Sequence, residues 1–130
     1  PRFSPSEADE SALDSFLELT IPDYIDQFTI RRQTMQLVWQ QTRFYDALAM
    51  PTSPLIPPKI EALSTIDAKM KMSGMALRNT ALANFLDRPT ITIPCHKQGT
   101  APVGLSLMGS HKHDRRLLAI AAGAESVIRG

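Results

Sequence analysis

The sequence predicts an α/β fold, and three observations support this prediction. Apolar residues recur at helical spacing in several segments of the chain. Short apolar or β-branched runs, "ALAM", "TITIP" and "VGLSLMG", are bounded by proline or glycine, as strands are. The segments follow one another as helix, strand, helix, strand, strand, helix, an order that indicates helices layered on a sheet.

Length and composition fit a single domain, residues 1–130. A chain of 130 residues can bury one core. Its net charge of +1 gives no reason to expect a nucleic-acid or anionic-membrane partner, and no apolar run reaches the roughly 18 residues of a membrane span. The single cysteine favours a reducing compartment, so we expect a cytoplasmic protein. A start at Pro1 and the scarcity of glycine, with 6 glycines against 10 prolines, suggest a fragment.

Two helices are predicted in residues 1–42. Ser4, Pro5 and Glu7 form a helix-start pattern. The apolar residues that follow at helical spacing are Leu13, Phe16 and Leu17. Pro22 interrupts this pattern, and a second helix is predicted from about Asp23.

The second helix carries one apolar face. Met35, Val38 and Thr42 share that face, and Trp39 lies beside it. We expect Trp39 to be a core or interface anchor, because its large ring is usually buried on folding.

Strands and helices are predicted in the rest of the chain. Ala47 to Met50 is predicted as a buried strand that ends at Pro51, and the proline-rich stretch to Pro58 as an extended loop. A helix is predicted after Gly74, ending before Pro89, followed by the strands "TITIP" and "VGLSLMG". Asp114 is the expected N-cap of a last helix. The predicted sheet-facing residues of that helix are Leu117, Leu118, Ala121 and Ala122.

The only cysteine and all three histidines lie between Pro94 and Ala121. Cys95 adjoins His96, and His111 and His113 are one residue apart; neither spacing is that of a zinc site. We therefore predict no metal and no cofactor. Cys95 is expected to be a small buried residue at a strand end rather than a nucleophile.

No catalytic residue is predicted in this chain. The serines Ser53, Ser73 and Ser106 lack any recognisable base or oxyanion hole in the sequence. The stretch from Cys95 to Gly109 is therefore interpreted as a connection between two strands of the sheet.

One polar cluster remains open to two interpretations. Arg78, Asn79, Thr80 and Asn84 lie along an otherwise apolar helix, and Thr80 and Asn84 share a side. Either these groups form hydrogen bonds between structural elements, or they form one wall of a ligand cleft that holds a polar group of a substrate.

Four segments together resemble the C-terminal part of amidase-signature enzymes. They are "FYDALAMPTSP", "NTALANFLDRPTITIPC", "APVGLSLMG" and "HDRRLLAIAAGAE", and they occur in the family's order from about Arg43 to Glu125. The resemblance divides the chain into a variable helical region, 1–42, and a family-like core, 43–130. It implies part of a mixed β-sheet flanked by helices.

The resemblance also implies a reaction. Members of the family hydrolyse carboxamides, or transfer the released ammonia, with a Ser–cis-Ser–Lys triad that lies upstream of the matched segments. No residue here corresponds to that triad. The resemblance thus implies that the chain is the C-terminal part of a hydrolase acting on carboxamide C–N bonds, and that it meets a small amide substrate through the full-length enzyme.

The sequence departs from the family pattern at two turns and near the polar cluster. Asp87 and Arg88 stand where relatives often have glycine and a small apolar residue, and Thr100-Ala101 stands where a glycine-containing pair is common. Some relatives have an acidic substrate contact where this chain has the neighbourhood of Arg78 and Asn79, which would suit an acceptor or an anion.

The alternative is a stand-alone, non-catalytic α/β binding or assembly module derived from an amidase. Such a module would cover unpaired strand edges and apolar faces with a second copy, as a homodimer.

Overall fold

The computed structural model describes residues 20–129. The helix predicted from Ser4 to Leu19 lies outside the described residues. The described elements follow the predicted order of helices and strands, and the α/β prediction is confirmed.

Helix α1 spans Ile21–Thr42 and begins with a capping box. Thr20 Oγ1 accepts a hydrogen bond from the backbone N–H of Asp23, at 3.3 Å, and an Asp23 carboxylate oxygen accepts one from the backbone N–H of Thr20, at 3.0 Å. Pro22 lies in the first turn, where its missing N–H costs nothing, so it belongs to the helix instead of interrupting the chain before it. The helix consequently starts two residues before the predicted position.

Helix α1 packs through a narrow, partly buried side. Met35 and Val38 pack against buried residues of the sheet layer, as the periodicity predicts. Trp39 is 52% exposed and lies beside Arg43, whose guanidinium carbon is 5.5 Å from the ring centroid. Trp39 is therefore not a core residue, because it lies beside the packed side of the helix and not on it. Its alternative role as an interface anchor stays a prediction.

Helix α2 spans Ile66–Phe85, after strand β1 (Leu48–Pro51), an extended stretch and a single 3-10 turn at Ile60–Leu63. Thr65 caps α2 by accepting a hydrogen bond from the N–H of Ala68, at 3.2 Å. The helix begins eight residues before Gly74, and the predicted start at that glycine is wrong. A Cβ at Gly74 would have no atom within 4 Å, so this glycine lies on an open face and does not end the helix.

The sheet contains strands β1, β2 (Thr90–Pro94) and β3 (Gly104–Met108), in the order β1-β3-β2. Both outer strands pair antiparallel with β3, so the three strands described here are antiparallel throughout. Pro51 and Pro94 end the two outer strands, since proline cannot donate to a ladder.

Helix α3, Asp114–Arg129, covers one face of this sheet. Its buried residues Leu117 and Ala121 pack against Ile93 and Leu107. Leu118 is 58% exposed, so its predicted place against the sheet is wrong.

Two more details of the α3 prediction are corrected. Ala122 is also exposed, and the packed side continues instead through Ile120 and Ala124. Asp114 is the first helical residue instead of the N-cap, and the carbonyl of His113 accepts the bond from the N–H of Leu117 at 3.0 Å.

The opposite face of the sheet is covered by α1 and α2. Ala83 and Leu86 of α2 are buried with Met108 of β3, which is 1% exposed. The strand alternation explains this division, because Leu107 points toward α3 and Met108 toward α2. The result is a sheet between two helical layers.

Candidate functional site

A cleft with a volume of about 590 Å³ lies between the proline-rich stretch, helix α2 and the ends of β2 and β3. Most of its lining is apolar, and none of the lining residues is an aspartate, glutamate, lysine or arginine. The stretch 52–58 supplies one wall, Met72 and Ala76 of α2 another, and Thr92, Pro94 and His96 much of the rest. A cleft of this size can enclose a small organic molecule.

The proline-rich wall exists because β1 ends abruptly. The N–H of Thr52 makes one more sheet-like hydrogen bond, to the carbonyl of Gly104 at 2.8 Å. Pro54, Pro57 and Pro58 have no N–H to continue the ladder. The chain therefore leaves the sheet and forms one wall of the cleft.

Asn79 of α2 binds the residue at which the chain leaves the sheet. Its side-chain N–H donates to the carbonyl of Pro51 at 2.8 Å, across 28 positions of sequence. The Nε–H of Arg78 is 3.4 Å from Asn79 Oδ1, a long hydrogen bond. Asn79 therefore ties the end of β1 to α2 beside the cleft.

Three hydroxyl groups from three different segments meet at the sheet end of the cleft. Ser106 Oγ is 2.8 Å from Thr52 Oγ1 and 3.0 Å from Thr92 Oγ1, and the two threonine oxygens are 3.3 Å apart. Ser106 is 3% exposed, whereas Thr52 and Thr92 line the cleft. This hydroxyl cluster is the polar floor of an otherwise apolar site.

Gly104 makes the hydroxyl cluster possible. A Cβ placed on Gly104 would lie 2.7 Å from Thr52 Oγ1 and 2.7 Å from Thr92 Cγ2. Real Cβ atoms do not approach so closely, so any side chain here would push the two threonines apart.

The connection from Cys95 to Val103 joins β2 to β3, and the prediction of a strand connection is confirmed. Cys95 is exposed, so the expectation of a buried cysteine is wrong; it lies just beyond the strand, where its thiol is 3.6 Å from the carbonyl of Val103. His96 Nδ1 lies 3.3 Å from the same carbonyl. Within residues 20–129, no group of histidine, cysteine, aspartate and glutamate could hold a metal ion.

The four predicted site residues are not gathered in the cleft. Asn79 contacts Pro51 at its edge, and Arg78 contacts Asn79. Thr80 donates to the carbonyl of Leu77 in its own helix, at 3.1 Å. Asn84 lines a second cleft. A substrate-binding role for these four residues stays a prediction.

The second cleft, of about 400 Å³, is polar and lies between the turns after α2 and β3. Asp87 has the left-handed φ of 53° that glycine favours, at a position where the resemblance to amidase-signature enzymes implies glycine. His111 Nδ1 lies 2.7 Å from the carbonyl oxygen of Asp87 and 3.3 Å from its carboxylate. Arg88 donates to Thr42 Oγ1 at 2.9 Å, and partial burial lowers the pKa of Arg88 from its ordinary value. The His111 contacts join the turn after α2 to the turn after β3, and the Arg88 contact joins the turn after α2 to the end of α1.

The hydroxyl cluster was not predicted from the sequence. Thr52, Thr92 and Ser106 are far apart in sequence, and only the strand register brings Thr92 opposite Ser106. Thr92 lies in the predicted strand "TITIP", but nothing in the sequence identified the strand that pairs with it.

Comparison with known proteins identifies the family. The family model described as Amidase matches residues 17–118. The chain belongs to the amidase family. This match confirms the resemblance of the four segments to amidase-signature enzymes.

Individual members of the amidase family are similar over most of this chain. A glutamyl-tRNA(Gln) amidotransferase subunit from Sulfurisphaera tokodaii is 35% identical over 105 residues, which are 81% of this chain and 22% of the relative. Fatty acid amide hydrolase of Medicago truncatula is 29% identical over 121 residues, 90% of this chain and 20% of the relative. A crystal structure of an amidase superposes with a TM-score of 0.72 at 25% identity, over 94% of this chain and 29% of that one. The chain thus spans about a fifth of the length of these curated relatives.

Proposed function

We propose that this chain acts as the C-terminal part of an amidase-signature hydrolase that cleaves carboxamide C–N bonds. The observation that carries the proposal is the apolar cleft floored by the hydroxyl cluster, in a chain of the amidase family. In this proposal the cleft receives the organic group of the amide. Asn79 holds the cleft wall in place, with Arg78, Thr80 and Asn84 as outer positions along the same helix.

The chemistry would come from the Ser–cis-Ser–Lys triad that the family implies, upstream of the segments matched here. The lysine takes a proton through the bridging serine as the nucleophilic serine attacks the amide carbonyl. The C–N bond breaks as this proton is passed on to the nitrogen, and ammonia leaves. Water then adds to the acyl-enzyme, which releases the acid and restores the serine hydroxyl. No residue of this chain is assigned a catalytic role. Its contribution is to bind and orient the substrate, which is where much of an enzyme's rate advantage arises.

The lining of the cleft favours uncharged amides. Burying an ionised group without a partner is costly, and within the described part of the chain no carboxylate, lysine or arginine lines the cleft to offset that cost. Relatives of this chain include both a fatty acid amide hydrolase and an amidotransferase. The uncharged lining supports hydrolysis of a neutral, apolar amide over transfer of ammonia from a charged amino acid amide.

Ammonia release tests this proposal. We expect the chain Pro1–Gly130 alone to release no ammonia from any amide, and a longer polypeptide that includes the upstream reading frame to hydrolyse neutral apolar amides such as benzamide. In the longer polypeptide, Ala76→Phe should raise KM for benzamide by filling the cleft, whereas Gly74→Ala, on the open face of the same helix, should not. Turnover by the short chain that survives repurification would refute the proposal, as would a longer polypeptide that hydrolyses no amide.

The assembly-module alternative is supported by one surface. Helix α1 has no buried residue and presents many large apolar side chains to solvent. The most exposed of these are Ile21, Tyr24, Ile25, Phe28, Leu37 and Trp39. The remainder of a larger amidase fold, or a second copy of this chain, would cover them. Light scattering distinguishes the two: a tight dimer supports assembly, and a monomer supports the role as part of a larger enzyme.

Localisation is part of the same proposal. No helix among residues 20–129 is long and apolar enough to cross a membrane. We propose a cytoplasmic location because the exposed thiol of Cys95 suits a reducing compartment. Fractionation of the source cells would test the location directly.

A further inference from the structure

We propose that the cleft selects a ligand that presents a hydrogen-bond donor, an N–H or O–H, on an otherwise uncharged and apolar group. The inference rests on the proposed function only for the identification of that ligand as the organic part of an amide substrate. The preference for a donor itself follows from the hydrogen bonding of the groups that line the cleft.

The hydroxyl hydrogens of the cluster can all be donated within the cluster itself. Thr52, Thr92 and Ser106 have three hydroxyl hydrogens in total, and the structure places three mutual contacts among their oxygens, at 2.8, 3.0 and 3.3 Å. If each contact is a hydrogen bond, each hydroxyl donates once and accepts once. Every oxygen then keeps one lone pair and has no hydrogen left to donate.

The lone pairs that a ligand in the cleft can reach belong to the two threonines. Thr52 and Thr92 line the cleft, whereas Ser106 is buried beneath them and serves to orient both. A ligand N–H or O–H therefore meets acceptors at the cleft floor. At Thr52 and Thr92, a ligand carbonyl or ether oxygen would meet lone pairs and could bond only after breaking the cluster.

His96 adds a second acceptor by a separate argument. A carbonyl oxygen can only accept, so the 3.3 Å contact between His96 Nδ1 and the carbonyl of Val103 requires the proton to be on Nδ1. In the neutral ring, Nε2 is then an acceptor. His96 also lines the cleft, so it favours a donor as the two threonines do. The hydroxyl of Ser53, also in the lining, can donate or accept and adds no preference.

The donor should be neutral. Among residues 20–129, no carboxylate lines the cleft to pair with an ammonium or guanidinium, and an unpaired cation would lose its hydration in an apolar site. One of the two amide N–H groups of the nearby Asn79 donates to the carbonyl of Pro51, and Asn79 is not among the residues that line the cleft.

Two probes of nearly the same shape test the inference. Indole carries a ring N–H, and benzofuran replaces that N–H with an oxygen that can only accept. We would titrate each into the protein and follow binding by calorimetry and by the NMR shifts of Thr52 and Thr92. Indole should bind about three- to tenfold more tightly than benzofuran, the ratio that one neutral hydrogen bond provides.

Substitutions in the hydroxyl cluster test whether this cluster causes the preference for a donor. Thr52→Val and Thr92→Val each keep the shape of the side chain and remove its oxygen, and each should reduce the indole-to-benzofuran ratio toward one. Thr34→Val is the matched control, because Thr34 donates only to the carbonyl of Ile30 within α1. Equal or tighter binding of benzofuran, no binding of either probe, or a ratio unchanged in both cluster variants would overturn the inference.

The outcome separates this inference from the proposed function, because the titration requires no turnover. Selective binding of indole, together with a longer polypeptide that hydrolyses no amide, would refute the proposed function alone. Amide hydrolysis without selectivity between the probes would refute the donor preference alone.

Discussion

The side chain of Asn79 donates a hydrogen bond to the main-chain oxygen of Pro51 at 2.8 Å, and this bond joins helix α2 to the end of strand β1. Pro51 is paired with Leu105 in the sheet, and the next residue, Thr52, already belongs to the cleft. A residue predicted from sequence as a ligand contact thus acts as a brace for the cleft wall. For Asn79 this bond is a hydrogen bond between structural elements, the first interpretation of the polar cluster, and its role in substrate binding stays a prediction.

Replacement of this brace should weaken the fold measurably. Asn79→Ala removes the hydrogen bond and leaves the carbonyl of Pro51 without that partner, so we expect the free energy of unfolding to fall by about 1 kcal/mol. Asn84→Ala is the control, because Asn84 is an exposed residue of the same helix and the change in helix propensity is the same. Urea denaturation of both variants measures the difference. Equal stability of the two variants would contradict the assigned role of Asn79.

The two glycines Gly104 and Gly74 should respond to alanine in opposite directions. Gly104→Ala forces a Cβ into Thr52 and Thr92, so we expect a loss of about 1–3 kcal/mol, as in other overpacked sites. Gly74→Ala adds a methyl group to the open face of α2 and should stabilise the protein by about 0.5–1 kcal/mol. Thermal unfolding gives the sign of each effect. A neutral Gly104→Ala would show that the hydroxyl cluster is not closely packed.

Neighbouring leucines of α3 should differ strongly when each is truncated. Leu117 is 4% exposed and Leu118 is 58% exposed. Leu117→Ala should cost about 2–5 kcal/mol by opening a cavity against Ile93 and Leu107, and Leu118→Ala should change the stability by less than about 0.5 kcal/mol. Chemical denaturation of each variant measures both. A larger loss at Leu118 would mean that α3 is rotated about its axis or that Leu118 is covered by a partner.

The N-terminal cap of α1 should depend on pH. Hydrogen bonds from the Thr20 side chain and backbone lower the pKa of Asp23 below its ordinary value of 3.8. Because the pKa is lowered on folding, the stabilising effect is fully present above pH 3.8 and is lost as the pH falls through the lower, folded value. An NMR titration of the Asp23 carboxyl carbon should show the lowered pKa, and Thr20→Val should return it toward 3.8. An unchanged pKa in that variant would refute the assigned cause.

The elements that the sequence predicted well are those determined by local pattern. Strand β2 has the bounds of "TITIP", because its β-branched residues are closed by Pro89 before and Pro94 at the end. Helix α2 was predicted eight residues short, because glycine was interpreted as a boundary although Gly74 lies on an open face. In α3 the spacing identified Leu117 and Ala121 correctly, but periodicity alone could not show which flank of that stripe faces the sheet.

The candidate site was harder to predict because it depends on contacts between distant segments. Asn79 was identified as polar on an apolar helix, but its partner Pro51 lies 28 residues away. The hydroxyl cluster requires the register that places Thr92 opposite Ser106, and the close approach of Thr52 over Gly104. Serine and threonine are common in every part of a sequence, so only their meeting in space marks them as a site.

The upstream reading frame of the gene tests the central claim most directly, so the coding DNA before the codon for Pro1 should be sequenced. We predict that the frame continues for several hundred codons and encodes a lysine followed by a glycine- and serine-rich stretch with paired serines. A start codon immediately before Pro1 would contradict the claim, because the triad would then be absent from the polypeptide and the cleft would bind its ligand without hydrolysing it.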